Sequence, residues 1–210
     1  MKQQKILTPE PKVKLATQTI RRHAVGIVGG TFNPIHLGHL VMADQVMCQL
    51  KLERVLFIPD AQPPHVDHKE TLAAKDRVAM LELAIADHPG FELDLLEIVR
   101  GGKSYTYDTI VELKKRHPLN DYYLILGADM IDYLKKWYWI DELAKLVTFV
   151  GVKRPGYPTH SAYPVIWVDA PELAISSTKI RHLVKNHCSI KYLVPDAVAR
   201  YIDEKGLYHD

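Results

Sequence analysis

The chain has 210 residues, of which 47% are hydrophobic and 25% charged, with a formal net charge of +2. This suits one substantial domain with a single core and excludes a disordered, collagen-like or disulfide-stapled protein. Two cysteines outside any CxxC pair, Cys48 and Cys188, fit a reduced cytoplasmic setting, and no apolar run approaches the roughly 20 residues that span a bilayer.

The first 22 residues carry Lys2, Lys5, Lys12, Lys14, Arg21 and Arg22 against Glu10 alone. They read as a solvated basic extension, and the mildly acidic remainder argues against a nucleic-acid-binding face. Residues 23–210 read as a single domain, mostly helical from about 170 onward. Ala24–Val28 is a short apolar run, as in a strand buried on both faces, and it ends in Gly29-Gly30-Thr31. A helical pattern follows through Leu37, Leu40, Val41, Val46, Met47 and Leu50. Val55–Ile58 is a second strand, stopped by Pro59 and a Pro63-Pro64 loop. Residues 71–87 predict a helix with Leu72, Val78, Met80, Leu81, Leu83, Ala84 and Ile85 as its apolar stripe, terminated by His88-Pro89-Gly90. Phe91–Ile98 has strand character and Tyr105–Arg116 helical character. Strands are expected at Tyr122–Leu126, Val147–Val150 and Val165–Val168, and helices at Thr178–Lys185 and Asp196–Glu204. Strand and helix alternating with short connections predicts an α/β fold built on a doubly wound parallel sheet. In such sheets ligands bind beyond the carboxyl ends of the strands, so residues just after strands carry the functional information.

The first strand-to-helix turn reads Gly29-Gly30-Thr31-Phe32-Asn33-Pro34-Ile35-His36-Leu37-Gly38-His39-Leu40. Two glycines let the backbone turn sharply and approach a ligand closely. The helix start offers unpaired N–H groups and partial positive charge, which suit phosphate. The segment is neither a P-loop nor a GxGxxG fingerprint. His36 and His39, three apart, share a face if both are helical, and Gly38 leaves room for a ligand between them. Two imidazoles there can donate to one phosphate, which suits phosphoryl-group chemistry, where positioning and electrostatics do most of the work. The spacing is not HExxH and no acidic partner is evident, so no metal is expected on protein side chains.

GGTFNPIHLGHL resembles the signature of the HxGH nucleotidyltransferase superfamily, and the chain from residue 23 on is similar to bacterial nicotinate-mononucleotide adenylyltransferases. The resemblance implies a Rossmann-like nucleotidyltransferase fold. It implies that His36 and His39 contact the phosphates of ATP and stabilise a pentavalent transition state. The acceptor's own phosphate is then the nucleophile, pyrophosphate leaves, and no covalent enzyme intermediate forms. Gly29, Gly30, Thr31, Phe32 and Gly38 join the ATP-binding set, and Asn33, where many relatives have Asp, the pyridine-nucleotide set.

Further segments fit the same family. Ile175-Ser176-Ser177-Thr178-Lys179-Ile180-Arg181 reads on its own as N-cap hydroxyls with a basic face. It is similar to the family's ISSTxIR motif, which closes on the ATP phosphates, so Ile175, Ser176, Ser177 and Thr178 are ATP-binding candidates and Arg181 a catalytic one. Ser104-Tyr105-Thr106 resembles the SYT segment that holds the pyridine nucleotide and its carboxylate. Gly127-Ala128-Asp129 resembles the G-[AG]-D element near the ribose and adenylate. Trp137 offers a flat ring to stack on a pyridine, and Arg154 is a further phosphate or adenosine candidate. Lys69, in Pro63-Pro64-His65-Val66-Asp67-His68-Lys69, stands three positions past the lysine of the family's PPHK, a departure that puts its role with the pyridine nucleotide in question. The expected activity is transfer of AMP from ATP, accompanied by Mg2+, to nicotinate mononucleotide. Dual nicotinate/nicotinamide specificity and a non-catalytic nucleotide sensor are the alternatives. A homo-oligomer is compatible with the sequence.

Overall fold

The computed structural model describes residues 22–63, 71–154, 156–157 and 159–209. The basic extension up to Arg21, and residues 64–70 with Lys69, lie outside the described residues. The strands are β1 (His23–Gly30), β2 (Arg54–Pro59), β3 (Phe91–Leu93), β4 (Asn120–Gly127), β5 (Val147–Val152) and β6 (Val165–Val168). All their pairings are parallel, in the order β3-β2-β1-β4-β5-β6. The helices are α1 (Leu37–Leu50), α2 (Ala74–Ile85), α3 (Leu96–Arg100), α4 (Thr106–Arg116), α5 (Ala128–Tyr133), α6 (Ile140–Leu146), α7 (Ser177–Lys185) and α8 (Asp196–Glu204). The doubly wound parallel sheet expected from the sequence is thus the observed architecture. No helix of the described residues is long and apolar enough to cross a membrane.

The two-residue period of the strands sends alternate side chains into two cores. Val28, Val55, Phe57, Ile125 and Val150 pack with Met80, Leu81, Ile180 and Val198 from α2, α7 and α8. Val25, Ile27, Leu56, Ile58, Leu124 and Phe149 pack with Ile110, Leu113, Ile131 and Leu143 from α4, α5 and α6. Each such side chain contributes about 1.5–3 kcal/mol on burial, so the sheet's carboxyl edge is anchored from both faces.

Two sequence expectations are corrected, and one stretch without an expected element gains three. Phe91–Ile98 is not one strand: pairing stops at Leu93, and Asp94 Oδ1 accepts the Leu96 N–H at 2.9 Å, turning the chain into α3. Leu83, assigned to the apolar stripe of α2, is 40% exposed, and the charged Arg77 occupies the buried face instead. Residues 128–146, given no element from the sequence, form α5, a 3₁₀ turn at Leu134–Lys136, and α6. Trp139, at a left-handed φ of 51°, separates α6 from what precedes it and breaks the helical period there.

Candidate active site

The strand order reverses direction between β1 and β4, and ligands of doubly wound sheets bind at such a crossover. Two cavities of about 370 Å³ each open there, at the carboxyl ends of the strands, and share Gly29, Leu126 and Met130 in their walls. The first takes in the amino ends of α1 (His36, Gly38), α5 (Gly127, Ala128) and α7 (Ser176, Ser177). The partial positive charge of these helix starts converges on a site that favours a polyanion. The second takes in Ser104, Tyr105 and Thr106 at the amino end of α4, together with Trp137 and Tyr138.

His36 and His39 lie in the first cavity. They meet differently from the expectation of a shared helical face. His36 is the N-cap, in extended backbone at φ −148°, and His39 is three residues into the first turn. Their rings stack at 3.7 Å between centroids, and the edge of Phe32 abuts His39 at 5.3 Å. The His36 backbone N–H donates to Nδ1 of His39 at 3.3 Å, so the hydrogen-bond pattern assigns the proton of neutral His39 to Nε2. Burial drives the His39 pKa well below its usual value, with the neighbouring His36 adding to the effect. Burial likewise lowers His36 to about 4, helped by the positive charge of Arg154. Both rings are therefore neutral near pH 7 in the free protein. Nδ1 of His36 is buried without a hydrogen-bond partner among the described residues. Gly38 permits this arrangement, because a Cβ there would approach His36 Nδ1 to 3.0 Å and Cε1 to 3.1 Å.

Gly29 and Gly30 do not make the turn, contrary to the sequence reading. Both belong to β1, and a Cβ at either meets only ordinary contacts, while the left-handed position is Phe32 at φ 48°. Gly29 instead keeps the wall between the two cavities bare. Gly127 has a different role, since a Cβ there would come within 2.6 Å of Asp129 Oδ1; its absence lets that carboxylate fold back toward β4.

The other candidates divide between the sites. Asp129, Arg154 and Ile175 line the first cavity. Ser176 caps α7, accepting the Lys179 N–H at 3.2 Å. Thr178 and Arg181 line neither cavity; Arg181 Nη1 donates to the Asn33 carbonyl at 3.0 Å, and Nη2 reaches Thr178 Oγ1 at 3.4 Å. Gly30 and Thr31, placed with ATP from the sequence, border the second cavity. Phe32 and Asn33 are buried beneath the turn and line neither cavity. Asn33 Oδ1 accepts the Tyr208 hydroxyl at 2.8 Å, so the structure gives this residue a place in holding the turn.

A cytidylyltransferase-like family model matches residues 27–183. A protein of Lactiplantibacillus plantarum described as a "probable nicotinate-nucleotide adenylyltransferase" is 60% identical over 198 residues, covering 93% of this chain and 94% of that one. The chain belongs to the nicotinate-nucleotide adenylyltransferase family. A relative from Enterococcus faecalis with the same description is 57% identical over 90% of this chain and 86% of its own. The fold matches that of the Plasmodium falciparum nicotinic acid mononucleotide adenylyltransferase complexed with NaAD, at a TM-score of 0.77 and 20% identity over 89% of this chain and 98% of that one.

In this adenylyltransferase-family chain, sequence reasoning missed a buried polar brace behind the turn. Arg77, 1% exposed, donates to the Thr31 carbonyl at 2.7 Å, the Asp60 carbonyl at 2.8 Å and Asp60 Oδ1 at 3.2 Å. The Thr31 hydroxyl donates to Asp60 Oδ2 at 2.7 Å. Burial pushes the Asp60 carboxyl up, opposed by Thr31 and Arg77. Glu97, also in the second cavity, is pushed up by burial and opposed by bonds from Thr109 and Ser104. Ser104 Oγ accepts the Ala61 N–H at 2.9 Å, tying the Ser104-Tyr105-Thr106 turn to the end of β2. A charge in an apolar helical stripe, Arg77 beside Met80 and Leu81, was the visible signal for this brace.

Proposed function

We propose that this protein transfers AMP from ATP to nicotinate mononucleotide, giving nicotinate adenine dinucleotide and pyrophosphate. The observation that carries the reading is the pair of cavities meeting at the β1–β4 crossover, with the stacked histidines in one and an aromatic-lined helix start in the other. The relatives' shared description supports the choice of pyridine acceptor.

The chemistry follows from the groups present. A phosphate oxygen of the mononucleotide attacks the α-phosphorus of ATP, the bond to the bridging oxygen breaks, and pyrophosphate carries away that electron pair. Charge builds on the phosphoryl oxygens as this happens, and preorganised donors aimed at them lower the barrier. Nε2–H of His39 and the amino ends of α1 and α7 are such donors. Arg154, Ser176 and Ser177 border the same space, and Arg181 lies one turn past Ser177 on α7. Thr106 and Tyr105, at the start of α4, present N–H groups suited to the pyridine carboxylate, with Trp137 as the stacking surface. Mg2+ enters as part of the ATP substrate. Among the described residues no group of three His, Cys, Asp or Glu side chains could hold a metal ion. The setting in which this occurs is read as the cytoplasm.

The test is pyrophosphate release with ATP and Mg2+, offering nicotinate and nicotinamide mononucleotides separately. The expected result is turnover with strong preference for the acid. Comparable rates would widen the acceptor site, and silence with both from a protein that binds ATP would refute the reading.

A further inference from the structure

The turn that carries His36 is held largely from the far end of the chain. Phe32 sits at φ 48°, a left-handed position that a residue with a side chain keeps only where its surroundings fix it. The fixing contacts converge from the C-terminal helical segment. Leu193 O accepts the Leu37 N–H at 3.0 Å, the Ser177 hydroxyl donates to the Pro34 carbonyl at 2.8 Å, and Arg181 Nη1 donates to the Asn33 carbonyl at 3.0 Å. The last contact is the Tyr208 hydroxyl on Asn33 Oδ1, at 2.8 Å.

Tyr208 differs from Ser177 and Arg181. Those two belong to a segment that the function itself uses for phosphate, whereas Tyr208 lines neither cavity. It reaches Asn33 because Gly206 and Tyr208 both adopt left-handed backbone, at φ 59° and 66°, which folds the chain back after α8. Burial raises its phenol pKa against the opposing charges of Arg181 and Arg77, so the hydroxyl remains a donor. Only Pro34 and Ile35, both buried, separate Asn33 from His36.

We propose that Tyr208 is a positioning residue for adenylyl transfer: its bond to Asn33 fixes the turn carrying His36, and with it the ring stacking and the His36 N–H bond that sets the tautomer of His39. This rests on the functional reading above. Tyr208 touches no reacting atom; it acts through Asn33 and the backbone.

The test compares the parent chain with Tyr208→Phe, which keeps the ring and removes the hydroxyl. Small displacements of catalytic groups cost rate more than binding, so kcat should fall roughly ten- to a hundredfold, with KM for ATP and for the mononucleotide within about twofold. The fall should be absent when the substitution is made in an Asn33→Ala background, where the acceptor is already gone. Independently of turnover, ¹⁵N NMR of the histidine rings in the ligand-free protein should show His39 as the Nε2–H tautomer in the parent and mixed tautomers in the variant. If Tyr208→Phe fails to fold, Asn33→Ala breaks the same bond from the other side and should give the same mixed spectrum. Identical histidine signals in parent and variant would overturn the inference whatever the turnover did, and so would an unchanged kcat. A parent silent with both mononucleotides would overturn the functional reading instead, and the ring spectra would still decide the positioning role.

Discussion

The depressed pKa of His36 makes the fold sensitive to acid, and the size of that effect can be worked out. A histidine with a usual pKa of 6.5 is held to about 4 here, chiefly by burial. Above pH 6.5 the ring is neutral in both folded and unfolded chains and contributes nothing to the pH dependence. As pH falls below 6.5 the unfolded chain takes up a proton that the folded protein refuses, so stability is lost with acidification until about pH 4. One pH unit of such a gap is worth about 1.4 kcal/mol, so acidification from pH 6.5 to 5 should cost about 2 kcal/mol through His36 alone. Asp60 and Glu97 act with the opposite sign: their folded pKa values are raised, so they take up protons in the folded state first. The difference between the parent and His36→Asn removes their contribution, because both proteins carry it. Urea unfolding at half-unit steps from pH 7 to 5 should therefore show the parent losing about 2 kcal/mol more than the variant. Parallel curves would refute the reasoning, since they would mean that the folded ring protonates as readily as the unfolded one. ATP should shrink the gap, because a bound polyanion favours the protonated ring.

Four further outcomes follow from the geometry. His39→Ala removes one preorganised donor and should lower kcat about 100- to 1000-fold with little change in melting temperature; near-parental turnover would exclude the donor role. Gly38→Ala brings a Cβ to 3.0 Å from His36 Nδ1, against a ring already stacked on His39, so kcat should drop at least about tenfold in steady-state assays while the protein stays folded. Trp137→Ala should weaken binding of the pyridine mononucleotide by about tenfold in calorimetric titration and leave ATP binding within about twofold, because Trp137 borders only the second cavity; an equal loss of both ligands would point to a folding defect. Arg77→Met leaves the Asp60 carboxylate buried without its cation and should cost about 3–5 kcal/mol in urea unfolding at pH 7, with part of the loss recovered in an Asp60→Asn background.

On the proposed function, the strand order gives both substrates a place to meet. In-line displacement needs the attacking oxygen and the leaving group on opposite sides of one phosphorus atom. Helices return on both faces of the sheet, so the crossover between β1 and β4 opens a cleft toward each face, and Gly29 stands in the wall of both. A side chain at Gly29 would project into the space shared by the two cavities, where the proposed reaction brings the nucleotides together. Its glycine is explained by that requirement rather than by backbone freedom, because its φ is not left-handed and a Cβ would meet only the Ile58 carbonyl at 3.9 Å.

How much of this was legible depends on the range of the interaction. The strands of the sheet were readable because burial on both faces leaves continuous apolar runs, as in Val55–Ile58 and Tyr122–Leu126, and the His-x-Gly-His turn because its meaning sits in adjacent residues. Contacts that close over long stretches of chain leave no such trace. Asn33 looks from the sequence like a ligand-binding residue after a strand, and the sequence gives no hint that Tyr208, 175 positions away, donates to its side chain. Arg181 looks like a phosphate ligand, and the fold sets its guanidinium on the Asn33 carbonyl, 148 positions away. Arg77 is the instructive intermediate case. Its local signal was present, a cation at helical spacing from Met80, Leu81 and Ile85, where a buried charge is tolerated only if its hydrogen bonds are met. The sequence alone could say that partners must exist; only the fold could supply Thr31 and Asp60, the ends of two different strands, and so show that the charge braces the turn on which the histidines stand.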